Sequence, residues 1–289
     1  MKRFKKEEGK QLIYQSYERL VAAWGESVEE LDIETRYGRT HVIVAGRREC
    51  PPLLLFHGVG DNSALMWIYN IQELARHFWV IAVDTMGGPG KSEPNEQYMK
   101  NFEQSLWMDD ILESLDINSK IHLAGVSNGS YLACHYTIKR PDRVNKIVSM
   151  AGGITLNMLR MLMIFMPEAL FPSEKNTARL LKKLTAPGSD VFQKNRELML
   201  HWNYLLKYFN NRSMMHHTYR KFTHEEIGIL KEKALFLIGQ YDQLSHYPKS
   251  IQNLEKHQIY YKIIENAGHG INHEQPEVIN EEIVRFLQA

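Results

Sequence analysis

The stretch from Lys120 to Arg140, KIHLAGVSNGSYLACHYTIKR, constrains this chain more than any other. Ile121, Leu123 and Ala124 lead as a short apolar strand into Gly125-Val126-Ser127-Asn128-Gly129, after which Tyr131, Leu132, Cys134 and Ile138 take up helical spacing. Strand, sharp turn, helix, with a serine at the turn, is what a nucleophile elbow needs. The serine of such an elbow sits in strained backbone, and glycines two before and two after it remove side chains that would collide where strand and helix nearly touch. A five-residue pattern also arises by chance in Gly-rich turns, so its weight rests on what the remainder of the chain supplies.

Other strand ends supply it. Leu53 to Phe56 is an apolar run suited to a strand buried on both faces, and it ends in His57-Gly58-Val59-Gly60-Asp61-Asn62. Ligands of open α/β sheets bind beyond the carboxyl ends of parallel strands, where a Gly-rich loop can present backbone N–H groups. Val59 is a candidate oxyanion donor there, while the His57 side chain reads as a brace for the loop. A helix from Ala64 to His77 follows, then a buried strand, Phe78 to Asp84, and the loop Thr85 to Ser92. That loop ends in Gly-Lys-Ser, but Thr85 stands where a phosphate-binding loop needs its first glycine, so no nucleotide is implied. A helix from Phe102 to Leu115 precedes the Ser127 elbow, and a strand from Lys146 to Met150 follows it. Late in the chain, the buried strand Ala234 to Gly239 delivers Asp242, and a strand from Gln258 to Ile264 delivers His269 between two glycines. A carboxylate at a strand end is costly unless a donor or cation meets it; the alternative is an exposed Asp242 capping a helix from Pro248.

The chain has 289 residues, 44% hydrophobic and 24% charged, enough for one large core burying roughly three-quarters of the unfolded surface. Thirty-five Lys and Arg against 34 Asp and Glu leave a formal charge of +1, which excludes an electrostatic case for nucleic acid or an anionic membrane. Cys50 and Cys134 read as reduced thiols, consistent with a cytoplasmic protein. The basic start, MKRFKKEEGK, is followed by an amphipathic helix from Gln11 to Trp24, with Leu12, Ile13, Leu20 and Ala23 on one face, rather than by a secretory signal. A hairpin then joins Leu31–Thr35 to Thr40–Ala45. No Cys or His cluster has metal-ligand spacing, and no metal or cofactor is expected.

From Ile154 to Phe222 the strand–helix alternation stops. Ile154 to Met166 is methionine-rich and helical in propensity, with Pro167 expected to end it; Asn157 and Arg160 interrupt it too early for a membrane span. Further helices are expected at Ala178–Leu184 and Asp190–Tyr208, and a capping box at Thr223–Glu226 opens the return to the core.

The order of elements, with His57-Gly58 after the third strand, the Gly-rich turn after Asp84 and the Gly125–Gly129 elbow, resembles the α/β-hydrolase fold family over most of the chain. One departure is that the turn after Asp84 is a residue longer than the common form. The resemblance implies a mostly parallel sheet of about eight strands with helices on both faces, a core from 1–153 and 224–289, and a helical cap at 154–223. The order Ser127, Asp242, His269 is the one this fold uses for nucleophile, acid and base, and the N–H groups of Asn128 and Val59 would form the oxyanion hole. Asp61 and Asp84 are rivals for the acid but follow earlier strands; His122 and His135 need only structural roles. The implied activity is serine hydrolysis of small or medium apolar carboxylic esters. Carbon–carbon bond hydrolysis, lactonase or perhydrolase chemistry, or a ligand-sensing role, stand as alternatives on the same triad. The expected partner is a small-molecule ester, without membrane insertion; subunit number is left open.

Overall fold

A computed structural model describes residues 2–289. The chain begins with helix α1 (Glu7–Ala22), which buries Ile13, Tyr17, Leu20 and Val21. These stand at i, i+4, i+7 and i+8, the core face of a 3.6-residue period. The expected face is rotated slightly: Ala23 is exposed, and Trp24 just beyond the helix is buried in its place. Strands β1 (Val28–Thr35) and β2 (Gly38–Ala45) form the expected antiparallel hairpin.

Then the sheet turns parallel. Strands β3 (Pro52–Phe56), β4 (Trp79–Val83), β6 (Ile121–Val126), β7 (Val144–Met150), β8 (Ala234–Gly239) and β9 (Tyr260–Ile264), with the two-residue β5 (Glu93–Pro94), complete it. The order is β1-β2-β4-β3-β6-β7-β8-β9, with β5 beside β2. All pairings from β4 to β9 are parallel, and β2 meets β4 antiparallel. Both faces are covered, which is why these strands read as unbroken apolar runs. In β3, Leu53 and Leu55 join one core layer and Leu54 and Phe56 the other, as a two-residue period requires.

Helices connect the strands. The segment expected as one helix from Ala64 to His77 is two, α2 (Ser63–Met66) and α3 (Ile71–His77). Asn70 between them is buried and spends its side chain on Asn280 and Asn272, contacts an unbroken helix would redirect. Helices α4 (Glu96–Asn101) and α5 (Gln104–Ser114) precede β6, and α6 (Asn128–Lys139) follows it.

Between β7 and β8 the described chain forms no strand. It runs through α7 (Met158–Leu170), α8 (Glu174–Leu184), α9 (Val191–Lys194), α10 (Arg196–Tyr208) and α11 (His224–Leu230). Pro167, expected to end α7, lies inside it. An interior proline forfeits one backbone hydrogen bond, at about 3 kcal/mol. Continuing the helix sets Glu168, buried, against Lys183 of α8 at 2.8 Å and seats Ala169 on the cavity described below. The capping box at the start of α11 forms as expected, with Thr223 and Glu226 bonding reciprocally. Helix α12 (Pro248–Lys256) lies between β8 and β9, and α13 (Ile271–Glu274) and α14 (Pro276–Gln288) close the chain. Among the described residues no helix is long and apolar enough to cross a membrane.

Candidate active site

Ser127 stands between β6 and α6 with φ 55° and ψ −111°, a left-handed conformation that costs a non-glycine residue roughly 1–3 kcal/mol. Its neighbours force it there. The Ser127 N–H donates to Met150 O at 2.9 Å, and Ser130 Oγ lies 2.6 Å from Gly125 O and 2.7 Å from Met150 O, sharing its proton between them. The motif glycines are required by close approach: a Cβ on Gly129 would lie 2.0 Å from Phe56 O, and one on Gly125 would lie 2.2 Å from the Gly129 carbonyl carbon. Gly152, beyond β7, does the same behind the serine, where a Cβ would lie 2.3 Å from Ser127 O. In the sequence Gly152 stands two residues past the strand expected at Lys146–Met150. No local pattern reveals that the elbow passes over it.

Asp242 and His269, 27 positions apart, meet because β8 and β9 are adjacent and parallel. The imidazole Nδ1 lies 3.1 Å from both Asp242 oxygens. The alternative of an exposed helix cap is excluded, since Asp242 is 1% exposed. Its carboxylate also accepts from the Leu244 N–H at 2.9 Å and from the Ser245 hydroxyl. Burial pushes this carboxyl up, but the adjacent imidazole and the donors from His269, Ser245 and Leu244 outweigh burial and hold it below the ordinary aspartate value.

The rival acids are placed otherwise. Asp84 accepts from the Ser63 N–H through Oδ1 and from Tyr17 OH and the Lys91 N–H through Oδ2, so it ties three segments of chain to the end of β4. Asp61 lies in the cavity with Ser127, and among the described residues its side chain bonds only to the Asn62 N–H. His57 braces the loops as read: Nδ1–H donates to Gly58 O at 2.8 Å and Nε2 accepts from the Thr85 N–H at 2.9 Å. Burial lowers its pKa, keeping it neutral. His122 and His135 are pushed down to about 4 by burial and do not line the cavity.

Ser127 and His269 both open onto a cavity of about 280 Å³. Gly58 and Val59 line it too, and a Cβ added to Gly58 would reach van der Waals contact with Ser127 Cβ at 3.6 Å, so the loop runs beside the elbow. Among the described residues the Val59 N–H has no hydrogen-bond partner, and the Asn128 N–H opens α6, where intrahelical acceptors are lacking. Met161, Phe165, Leu181, Leu184, Phe192 and Trp202 make the opposite wall apolar. The methionines of α7 divide: Met161 and Met166 line the cavity, whereas Met163 is 59% exposed.

Glu274, missed in the sequence, clamps this wall to the histidine loop. Its Oε2 accepts from the Gly268 N–H and its Oε1 from the Ala186 N–H, both at 2.7 Å, while the Gly270 N–H donates to Leu184 O at 3.0 Å. No described group of three or more His, Cys, Asp or Glu is placed to hold a metal ion.

This geometry has counterparts. The model of the alpha/beta hydrolase fold family matches residues 51–276. The chain is 26% identical to carboxylesterase YbfK of Bacillus subtilis over 282 residues, covering 95% of this chain and 93% of that protein. The crystal structure of carboxylesterase CesB (YbfK) from Bacillus subtilis superposes with a TM-score of 0.84 at 24% identity, over 97% of this chain and 98% of the other. That of naproxen esterase (carboxylesterase NP) from the same organism gives 0.83 at 22%, over 98% and 99%. A family match spanning most of the chain, on a sheet of this order, places the protein in the α/β-hydrolase fold family.

Proposed function

We propose that this protein is a serine carboxylesterase acting on small or medium apolar esters through an acyl-enzyme on Ser127. The carrying observation is convergence: the strained Ser127 and the Asp242-paired His269 open onto one apolar cavity. Full-length similarity to a carboxylesterase supports the same reading.

A serine hydroxyl is a weak nucleophile at neutral pH, so His269 Nε2 takes its proton as Ser127 Oγ attacks the ester carbonyl carbon. Asp242 holds Nδ1–H toward itself and stabilises the imidazolium that forms. Charge growing on the carbonyl oxygen is met by the N–H groups of Asn128 and Val59; losing one such donor typically costs about 3 kcal/mol. The tetrahedral intermediate collapses, the alcohol leaves with the proton from His269, and water attacks the acyl-enzyme with the same histidine as base. Residues 154–223 act as a cap whose apolar wall receives the substrate and excludes water from the ester. The two free cysteines, one buried, fit a reducing, cytoplasmic setting.

Covalent labelling by a fluorophosphonate, with hydrolysis of short-chain nitrophenyl esters alongside, tests this on wild type and Ser127→Ala. Labelling and turnover are both expected in the wild type and absent from the variant. A folded wild type that neither labels nor turns over would overturn the proposal.

A further inference from the structure

Ester hydrolysis uses Ser127, His269 and Asp242 and leaves the one carboxyl that lines the cavity among the described residues without a role. Asp61 is 2% exposed and lines the same cavity as the serine and histidine. Its Oδ1 accepts from the Asn62 N–H at 2.7 Å; among the described residues nothing donates to Oδ2. A buried carboxyl with one oxygen unmet is costly, and such a group in an open cavity is met by whatever fills the cavity.

We propose that Asp61 forms a subsite for a protonated amine carried by the substrate at a distance from its ester. This rests on the esterase reading above. Three observations select a cation over a neutral donor. Among the described residues no Lys or Arg lines the cavity, so no permanent cation there offsets a charged Asp61. Burial, with the negative field of buried Asp84 nearby, raises the Asp61 carboxyl to about 8 against the pull of the Asn62 N–H, so at pH 7 it holds a proton until a bound cation supplies countercharge and the proton leaves to solvent. An ammonium brings a hydrogen bond and the missing countercharge together, where a hydroxyl brings only the first. Phe165, Phe192 and Trp202 line the same cavity, and aromatic faces stabilise a desolvated ammonium further. The rest of the lining fits the alkyl chain between amine and ester. Neither the sequence pattern nor the triad logic requires an acid at this position; asparagine would keep the bond to the Asn62 N–H without the charge.

The test compares isosteres in which a protonated dimethylamino group replaces an isopropyl group. One pair carries it on the acyl side, ethyl 4-(dimethylamino)butanoate against ethyl 5-methylhexanoate. The other carries it on the alcohol side, 3-(dimethylamino)propyl butanoate against 4-methylpentyl butanoate. Acid release at pH 7 gives kcat and KM for the wild type and Asp61→Asn. In at least one pair, D61N is expected to lower kcat/KM for the amine ester about 10- to 100-fold, mostly through KM, as losing a charge-assisted hydrogen bond does. The alkyl ester should stay within about threefold. Equal effects on both members, or none on either amine ester, would overturn the subsite while leaving the esterase intact. Failure of the wild type to cleave either alkyl ester would remove the esterase reading and the subsite with it. Should D61N not fold, N,N-dimethylbutylamine decides on the wild type: competitive inhibition of alkyl-ester hydrolysis supports the subsite, and no inhibition overturns it.

Discussion

Replacing Gly152 by alanine adds one methyl group where the chain leaving β7 passes behind the elbow. Gly152 has φ 179°, extended backbone open to any residue, so the effect is one of space alone. The new Cβ would stand 2.3 Å from Ser127 O, 2.7 Å from its Cα and 2.8 Å from its carbonyl carbon. Carbon contacts settle at about 3.5 Å, so the two segments must part by roughly 1 Å. All three obstructing atoms are backbone and cannot rotate aside. Overpacking of this kind costs about 1–3 kcal/mol, which in a chain this long lowers Tm by roughly 2–10 °C. Activity should suffer more than stability. A displacement near 1 Å at a reacting atom costs on the order of 100-fold, so kcat for a nitrophenyl ester and the rate of fluorophosphonate labelling should fall together by about that factor. Gly188→Ala is the control. Gly188 has φ 82° with nothing within 4 Å, so alanine there costs about 1–2 kcal/mol of backbone strain and leaves kcat unchanged. A Gly152→Ala protein with wild-type kcat and Tm would show that the elbow yields freely and refute the argument.

Asp242→Asn should lower kcat about 10⁴-fold with little change in KM, because an amide cannot stabilise the imidazolium and favours the wrong tautomer; a loss under tenfold would mean another group serves as acid. Stability should also fall on mild acidification, before carboxylates titrate. His201, His217 and His273 are buried, with pKa values lowered to about 3, 4 and 4, so the unfolded chain binds protons that the folded chain refuses below pH 6.5. The stability these neutral histidines confer is therefore complete above that pH and is lost toward pH 4, at up to about 1.4 kcal/mol per pH unit each. Asp61, raised to about 8, contributes in the opposite sense and offsets one of them. Urea midpoints that stay level between pH 6 and pH 5 would contradict this assignment.

Much of the candidate site was legible because each part announces itself locally. Gly125 and Gly129 mark a close approach, unbroken apolar runs such as Leu53–Phe56 mark strands covered on both faces, and Ser127, Asp242 and His269 each follow such a run. What stayed hidden depends on partners distant in sequence. Glu274 looks like an ordinary surface glutamate until Gly268 and Ala186 both donate to it. The break between α2 and α3 answers to Asn280, 210 positions from Asn70, and α7 continues past Pro167 where local propensity would stop it.

The sequence by itself determined the alternation of strands and helices, the elbow, and the order Ser127, Asp242, His269, because hydrophobic period and glycine spacing are properties of neighbouring residues. Only the tertiary structure decided which acid meets which base. Three buried aspartates, Asp61, Asp84 and Asp242, are chemically alike along the chain. The parallel pairing of β8 with β9 sets Asp242 against His269, the end of β4 surrounds Asp84 with donors, and the cavity leaves one oxygen of Asp61 unmet.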